Sequence, residues 1–132
     1  MSLVVKLMDN FLRRNDVNQN KIYVSGLSMG GMGTFVILNL RPDMFAAATP
    51  ICGDGDPNSV YNYAKKIPIW IFHGSDDTVV SPKKSLKMAN AIIEAGKEIG
   101  LSENESQLLS LKMLQGSSQF AEKFSSELEL SL

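Results

Sequence analysis

Residues 21–38 read KIYVSGLSMGGMGTFVIL: an apolar run, a glycine-bearing turn, and a second apolar run. The first run is short, β-branched and aromatic, which predicts a strand ended by Gly26. Met29 to Leu40 reads as a helix, stopped by Pro42 just after Arg41. Between them lies Gly26-Leu27-Ser28-Met29-Gly30, a Gly-x-Ser-x-Gly turn. When such a turn joins a strand to a helix, the bend is so sharp that the serine takes strained backbone angles. The flanking glycines leave room for it. The Ser28 oxygen is then expected to stand clear above the sheet, with the Met29 N–H directed at a developing oxyanion. Gly31 and Gly33 are expected to let the helix lie close to its neighbours. A serine hydroxyl is a poor nucleophile at neutral pH and needs a base and an anion-stabilising pocket. The alternative is a glycine-rich turn in which Ser28 is only a helix N-cap.

Two other uses of the glycines fail on inspection. No Lys-Ser or Lys-Thr follows them, as a phosphate-binding loop requires. Gly31-Met32-Gly33 lacks the third glycine of a dinucleotide fingerprint, and no acidic residue sits suitably downstream at a strand end.

Working outward, MSLVVKLMDNFLRRND at the start reads as an amphipathic helix with Leu3, Val4, Leu7, Met8, Phe11 and Leu12 along one face. Residues 44–51, MFAAATPI, form a second strand candidate, closed by the turn-rich CGDGDPNS and the short amphipathic VYNYAKK. Residues 67–74, IPIWIFHG, form the strongest strand signal, nearly continuous and apolar as in a strand buried on both faces. Ser81-Pro82 opens a helix as N-cap and first helical residue, with Leu86, Ala89, Ile92 and Ile93 on one side. The alternation predicts an α/β fold of about three parallel strands with flanking helices and two unpaired sheet edges, open to self-association.

Near Gly100 the character changes to Leu, Ser and Glu. Residues 1–99 read as one α/β unit and 100–132 as a helical tail. A capping box at Ser102 and Glu105 opens that tail. Leu108, Leu111 and Leu114 make one stripe and Phe120, Phe124 and Leu128 another, split at Gln115-Gly116-Ser117, with no strand expected.

The bulk composition excludes more than it assigns. A chain of 132 residues makes one domain at most, and 44% apolar with 20% charged residues is ordinary for a soluble protein. A net charge of -1 gives no electrostatic reason to expect nucleic acid or an anionic membrane. No apolar run approaches membrane-spanning length. Cys52 is the lone cysteine, so no intrachain disulfide is possible. The N-terminus lacks the pattern of a secretory signal, which makes the cytoplasm the default expectation.

The loop after the third strand, WIFHGSDDTVVSP, lies at the carboxyl edge of the predicted sheet, where open α/β folds keep their sites. Asp76 or Asp77 could there orient a histidine, and a solvated acidic turn is the alternative. Taken together, IYVSGLSMGGMGTF, RPDMFAAATPICGDGDP and IPIWIFHGSDDTVVSP resemble the phospholipase/carboxylesterase and dienelactone-hydrolase-like branch of the α/β-hydrolases. The closest likeness is to bacterial esterases often labelled predicted peptidases. It covers roughly Val4 to Gly96, and implies a partial α/β-hydrolase fold in which residues 1–99 are the central part of the domain and 100–132 are not family-like. The resemblance implies Ser28 as nucleophile and, from the His-Gly-x-x-Asp-x-x-Val arrangement, Asp77 rather than Asp76 as the acid. It implies a small-molecule carboxylic ester as substrate, cleaved through an acyl-enzyme without metal or cofactor.

Two parts of that machinery have no counterpart. The family's catalytic histidine follows one further strand, and the tail in that place contains none. The second oxyanion donor comes from an earlier loop that this chain does not contain. His73, the only histidine, matches a structural position of the family. The isolated chain is therefore expected to have little or no esterase activity. Asp54, Asp56 and Asn58 alternate like a calcium loop, but Ser59 replaces its Gly and Lys65 its Glu, so a surface turn is expected. Cys52 reads as a buried thiol, Trp70 and Phe72 as core, and Tyr61 and Tyr63 as either cleft or helix packing.

Overall fold

A computed structural model describes residues 1–14, 16–98 and 109–114. Helix α1 (Ser2–Leu12) precedes strand β1 (Tyr23–Leu27), helix α2 (Met29–Leu40) and strand β2 (Ala47–Ile51). A 3-10 turn (Pro57–Asn62), strand β3 (Ile69–Gly74), helix α3 (Pro82–Glu98) and strand β4 (Leu109–Leu114) follow. The strands lie in the order β1-β2-β3-β4, and every neighbouring pair is parallel. Helical or turn-bearing crossovers between successive strands produce this order, as parallel pairing demands.

Side-chain alternation along the strands divides the core in two. On one face Ala48, Ile69 and Ile71 pack with Phe35 and Leu38 of α2 and with Met88 and Ile92 of α3. Val5, Met8 and Leu12 of α1 pack at the margin of this cluster, and Asp9 of α1 is ion-paired with Arg41. On the other face Ile51, Cys52 and Phe72 form a smaller cluster, with Trp70 beside them and its ring 4.7 Å from that of Phe72. Tyr63, left open between cleft and core by the sequence, is fully buried in the larger cluster, whereas Tyr61 is exposed.

Pro50 sits inside the central strand β2 and has no N–H to donate. Ala48 donates to Pro68 and Cys52 to Phe72, so β2 stays bonded to β3 on either side of the missing donor.

The tail departs from expectation. Residues 109–114 are a strand, not part of a helix, and pair in parallel with all six residues of β3, from Ile69 beside Leu109 to Gly74 beside Leu114. The i, i+3 leucines suggested a helix, but LSLKML equally alternates with period 2, and a free β3 edge selects the strand. The second helix expected around Phe120, Phe124 and Leu128 lies outside the described residues, as does the Ser102–Glu105 capping box. Among the described residues no helix is long and apolar enough to cross a membrane.

Candidate functional site

Ser28 links β1 directly to α2, with φ 57° and ψ -114°. A left-handed φ is costly for a residue with a Cβ, of order 1–3 kcal/mol, and persists only where the surroundings over-determine it. Here the Ser28 N–H donates to the Ile51 carbonyl at 2.8 Å, and its own carbonyl accepts from Met32 at 3.0 Å. Both backbone groups are thus held while the side chain is exposed and makes no capping hydrogen bond. That removes the N-cap as the reason for a serine at this position. Met29 follows as the first residue of α2, so its N–H is among the donors that a helix leaves unpaired in its first turn.

The glycines divide the work unevenly. A Cβ on Gly26 would stand 2.2 Å from the Gly30 carbonyl oxygen, so the turn closes only on glycine. A Cβ on Gly31 would meet the Ile51 carbonyl oxygen at 2.5 Å and the Gly53 Cα at 3.0 Å. Gly30 has open space around it, and a Cβ on Gly33 would make only an ordinary 3.8 Å contact with Met1. Of the two helix glycines expected to permit close approach, Gly31 does so and Gly33 does not. Its partner in that approach, Gly53, carried no individual signal in the sequence.

At the end of β3, Asp77 is the held carboxylate. Its Oδ1 accepts the Val79 and Val80 N–H groups, each at 2.9 Å, and its Oδ2 lies 3.5 Å from His73 Nε2. The backbone bond from Val80, with further help from Val79, the Cys52 thiol and His73, holds the carboxyl below the usual range. Asp76 is exposed and accepts from the Ser75 hydroxyl at 3.2 Å.

His73 lies fully buried beneath this loop. Its Nε2 is 2.8 Å from the Val80 carbonyl, and Nδ1 is 2.7 Å from the Ser85 hydroxyl, which is also 3.2 Å from the Gly53 carbonyl. With both nitrogens engaged, the ring ties β3 to the following loop and to α3. Ser85, whose structural part the sequence did not signal, closes this network from α3.

Cys52 is buried at the end of β2 with φ 48°. Burial, and secondarily the Asp77 carboxylate, push its thiol above the usual value, so it is held as a neutral thiol. Ser28, Cys52 and Asp77 follow the carboxyl ends of β1, β2 and β3, three neighbouring strands of one edge. The calcium-like turn is otherwise occupied: Asp54 pairs with Lys84 at 2.8 Å and Lys87 at 3.5 Å, and Asp56 accepts the Asn58 N–H as a cap. A hollow of about 340 Å³ lined by Leu12, Ile22, Leu40 and Met44 lies at the opposite end of β1 from Ser28.

Comparison with known proteins places this edge in context. The sequence profile of the prolyl oligopeptidase family matches residues 3–61. Over 50 residues the chain is 36% identical to poly(3-hydroxyalkanoate) depolymerase C of Paucimonas lemoignei, a match covering 38% of this chain and 12% of the depolymerase. Over 81 residues it is 31% identical to a bifunctional acetylxylan esterase/xylanase of Neocallimastix patriciarum, covering 59% of this chain and 12% of that protein. The crystal structure of a thermostable esterase superposes with a TM-score of 0.74 at 34% identity, over 92% of this chain and 29% of the esterase. The matched regions thus span 12% of the length of each of these two curated relatives.

Proposed function

From the premise that the chain belongs to the α/β-hydrolase superfamily, with esterases among its relatives, we propose that it carries the nucleophile and acid of a carboxylic-ester hydrolase. Ser28 Oγ attacks the ester carbonyl carbon, and the Met29 N–H donates to the resulting oxyanion. Collapse expels the alcohol and leaves an acyl-enzyme on Ser28. Water then releases the carboxylic acid and restores the hydroxyl. Asp77 orients the base that takes and returns the Ser28 proton. The observation that carries this reading is the strained Ser28 backbone with its hydroxyl free of any capping bond.

The base itself is the incomplete part. The chain contains one histidine, and His73 is fully buried with both ring nitrogens engaged. The chain alone is therefore expected to turn over little or no ester. A fluorophosphonate probe tests the nucleophile without requiring turnover. Slow labelling of the folded chain that disappears in Ser28→Ala is expected, and an unlabelled Ser28 in folded protein would sink the assignment.

A second reading, a non-catalytic remnant that self-associates, rests on a different observation. Tyr23 and Leu27 of the edge strand β1 are 67% and 60% exposed, and Leu3 of α1 is 79% exposed. Unlabelled Ser28 together with a concentration-dependent dimer in sedimentation would favour that reading.

A further inference from the structure

We propose that Cys52, His73 and Asp77 form a binding site for a single thiophilic divalent cation of the zinc class. One ligand atom from each residue, the thiol sulfur, a ring nitrogen and a carboxylate oxygen, lies within 4.8 Å of the others. Tetrahedral zinc with bonds of about 2.0–2.3 Å places its ligands roughly 3.3–3.8 Å apart. The 3.5 Å between His73 Nε2 and Asp77 Oδ2 already has that spacing. The three residues come from the end of β2, from β3 and from the loop after β3, so they converge only through the fold.

Charge and hydrogen bonding favour the same assignment. A thiolate and a carboxylate neutralise a dication, so a buried site holding all three carries no net charge. His73 is fully buried and Cys52 nearly so, while the Asp77 side chain keeps 20% exposure, which leaves a path for the ion and for a water as fourth ligand. On binding, the thiol proton leaves to solvent and Nε2 releases the Val80 carbonyl to use its lone pair on the metal. The ring proton then resides on Nδ1 and is donated to Ser85, whose own proton goes to the Gly53 carbonyl. A metal-bound imidazole commonly has its other nitrogen oriented by such a partner. This site requires no hydrolytic activity at Ser28, and its occupation would engage the carboxylate proposed to orient a base.

Cobalt(II) titration of the untagged full chain tests it, because the chain holds one cysteine and one histidine. A near-ultraviolet thiolate-to-cobalt charge-transfer band saturating at one metal per chain is expected, and zinc should displace it. Cys52→Ala should abolish the band with the circular dichroism of the fold retained. Ser85→Ala should weaken binding about tenfold. Asp77→Asn should weaken binding more strongly while leaving a band. Absence of the band in the unaltered chain, a band that survives Cys52→Ala, or affinity indifferent to Asp77→Asn would each overturn the site.

Discussion

A methyl group on Gly26 would stand 2.2 Å from the carbonyl oxygen of Gly30, although nothing lies within 4 Å of a methyl group on Gly30 itself. The two glycines of one motif are therefore unequal. Gly26→Ala is expected to cost at least about 2 kcal/mol, because the obstructing atom is backbone and cannot swing away. Gly30→Ala is expected to be neutral or to gain up to about 1 kcal/mol from helix propensity. Chemical denaturation of both variants checks the contrast, and equal losses would contradict it.

Ser28 has a left-handed φ of 57°, which a glycine adopts without a Cβ penalty. Ser28→Gly should stabilise the chain by about 1 kcal/mol while removing fluorophosphonate labelling. A rise in the thermal midpoint accompanied by lost labelling is the expected pair of results. A fall in the midpoint would show that the serine side chain contributes to stability.

Asp54 has its carboxyl held below the usual range, chiefly by the Lys84 hydrogen bond. Its contribution to stability is complete above the ordinary carboxylate value of about 3.9 and is lost as pH falls through the lower folded value. The Asp54 side chain is 23% exposed and its lysines about half exposed, so the effect should stay below about 1 kcal/mol. Denaturation midpoints of Asp54→Asn and the unaltered chain should differ at pH 7 and converge under acid conditions.

Buried polar atoms at two positions predict opposite outcomes. Ser85→Ala removes the hydroxyl lying against His73 Nδ1 and the Gly53 carbonyl, and is expected to cost about 1–3 kcal/mol. Among the described residues the buried Tyr63 hydroxyl makes no well-formed hydrogen bond, and burial pushes its pKa up to about 12 against a smaller lowering by the Ser59 hydroxyl. Tyr63→Phe should therefore change stability by less than about 1 kcal/mol, with a gain more consistent than a loss.

Strand β4 covers the edge of β3 along its whole length. A chain ending at residue 98 would expose that edge, and is expected to melt at lower temperature and to aggregate. Unchanged melting and solution behaviour would show that the β3–β4 pairing adds nothing.

The strand–turn–helix around Ser28 was legible because its signals are local: a β-branched run, glycines at fixed offsets and a proline stop. The parallel direction of β1, β2 and β3 followed from the alternation of elements, and their side-by-side order came only with the fold. The proposed roles of Ser28, Met29 and Asp77 rest on motif resemblance. Strand β4 was not legible. Leu108, Leu111 and Leu114 satisfy a helical stripe, whereas LSLKML also satisfies strand alternation, and only an available edge chooses between them.

Sequence by itself determined the sharp turn, the parallel direction of the first three strands and the lack of a second histidine. Tertiary structure alone decided that Gly31 rather than Gly33 permits close approach, that the two His73 ring nitrogens lie at hydrogen-bond distance from Val80 and Ser85, and that Cys52 lies beside Asp77. The physical reason is range. Turn geometry and periodicity are set by residues within a few positions, whereas a hydrogen bond from β3 to α3 or a thiol at the end of β2 depends on which strand ends the folded sheet brings side by side.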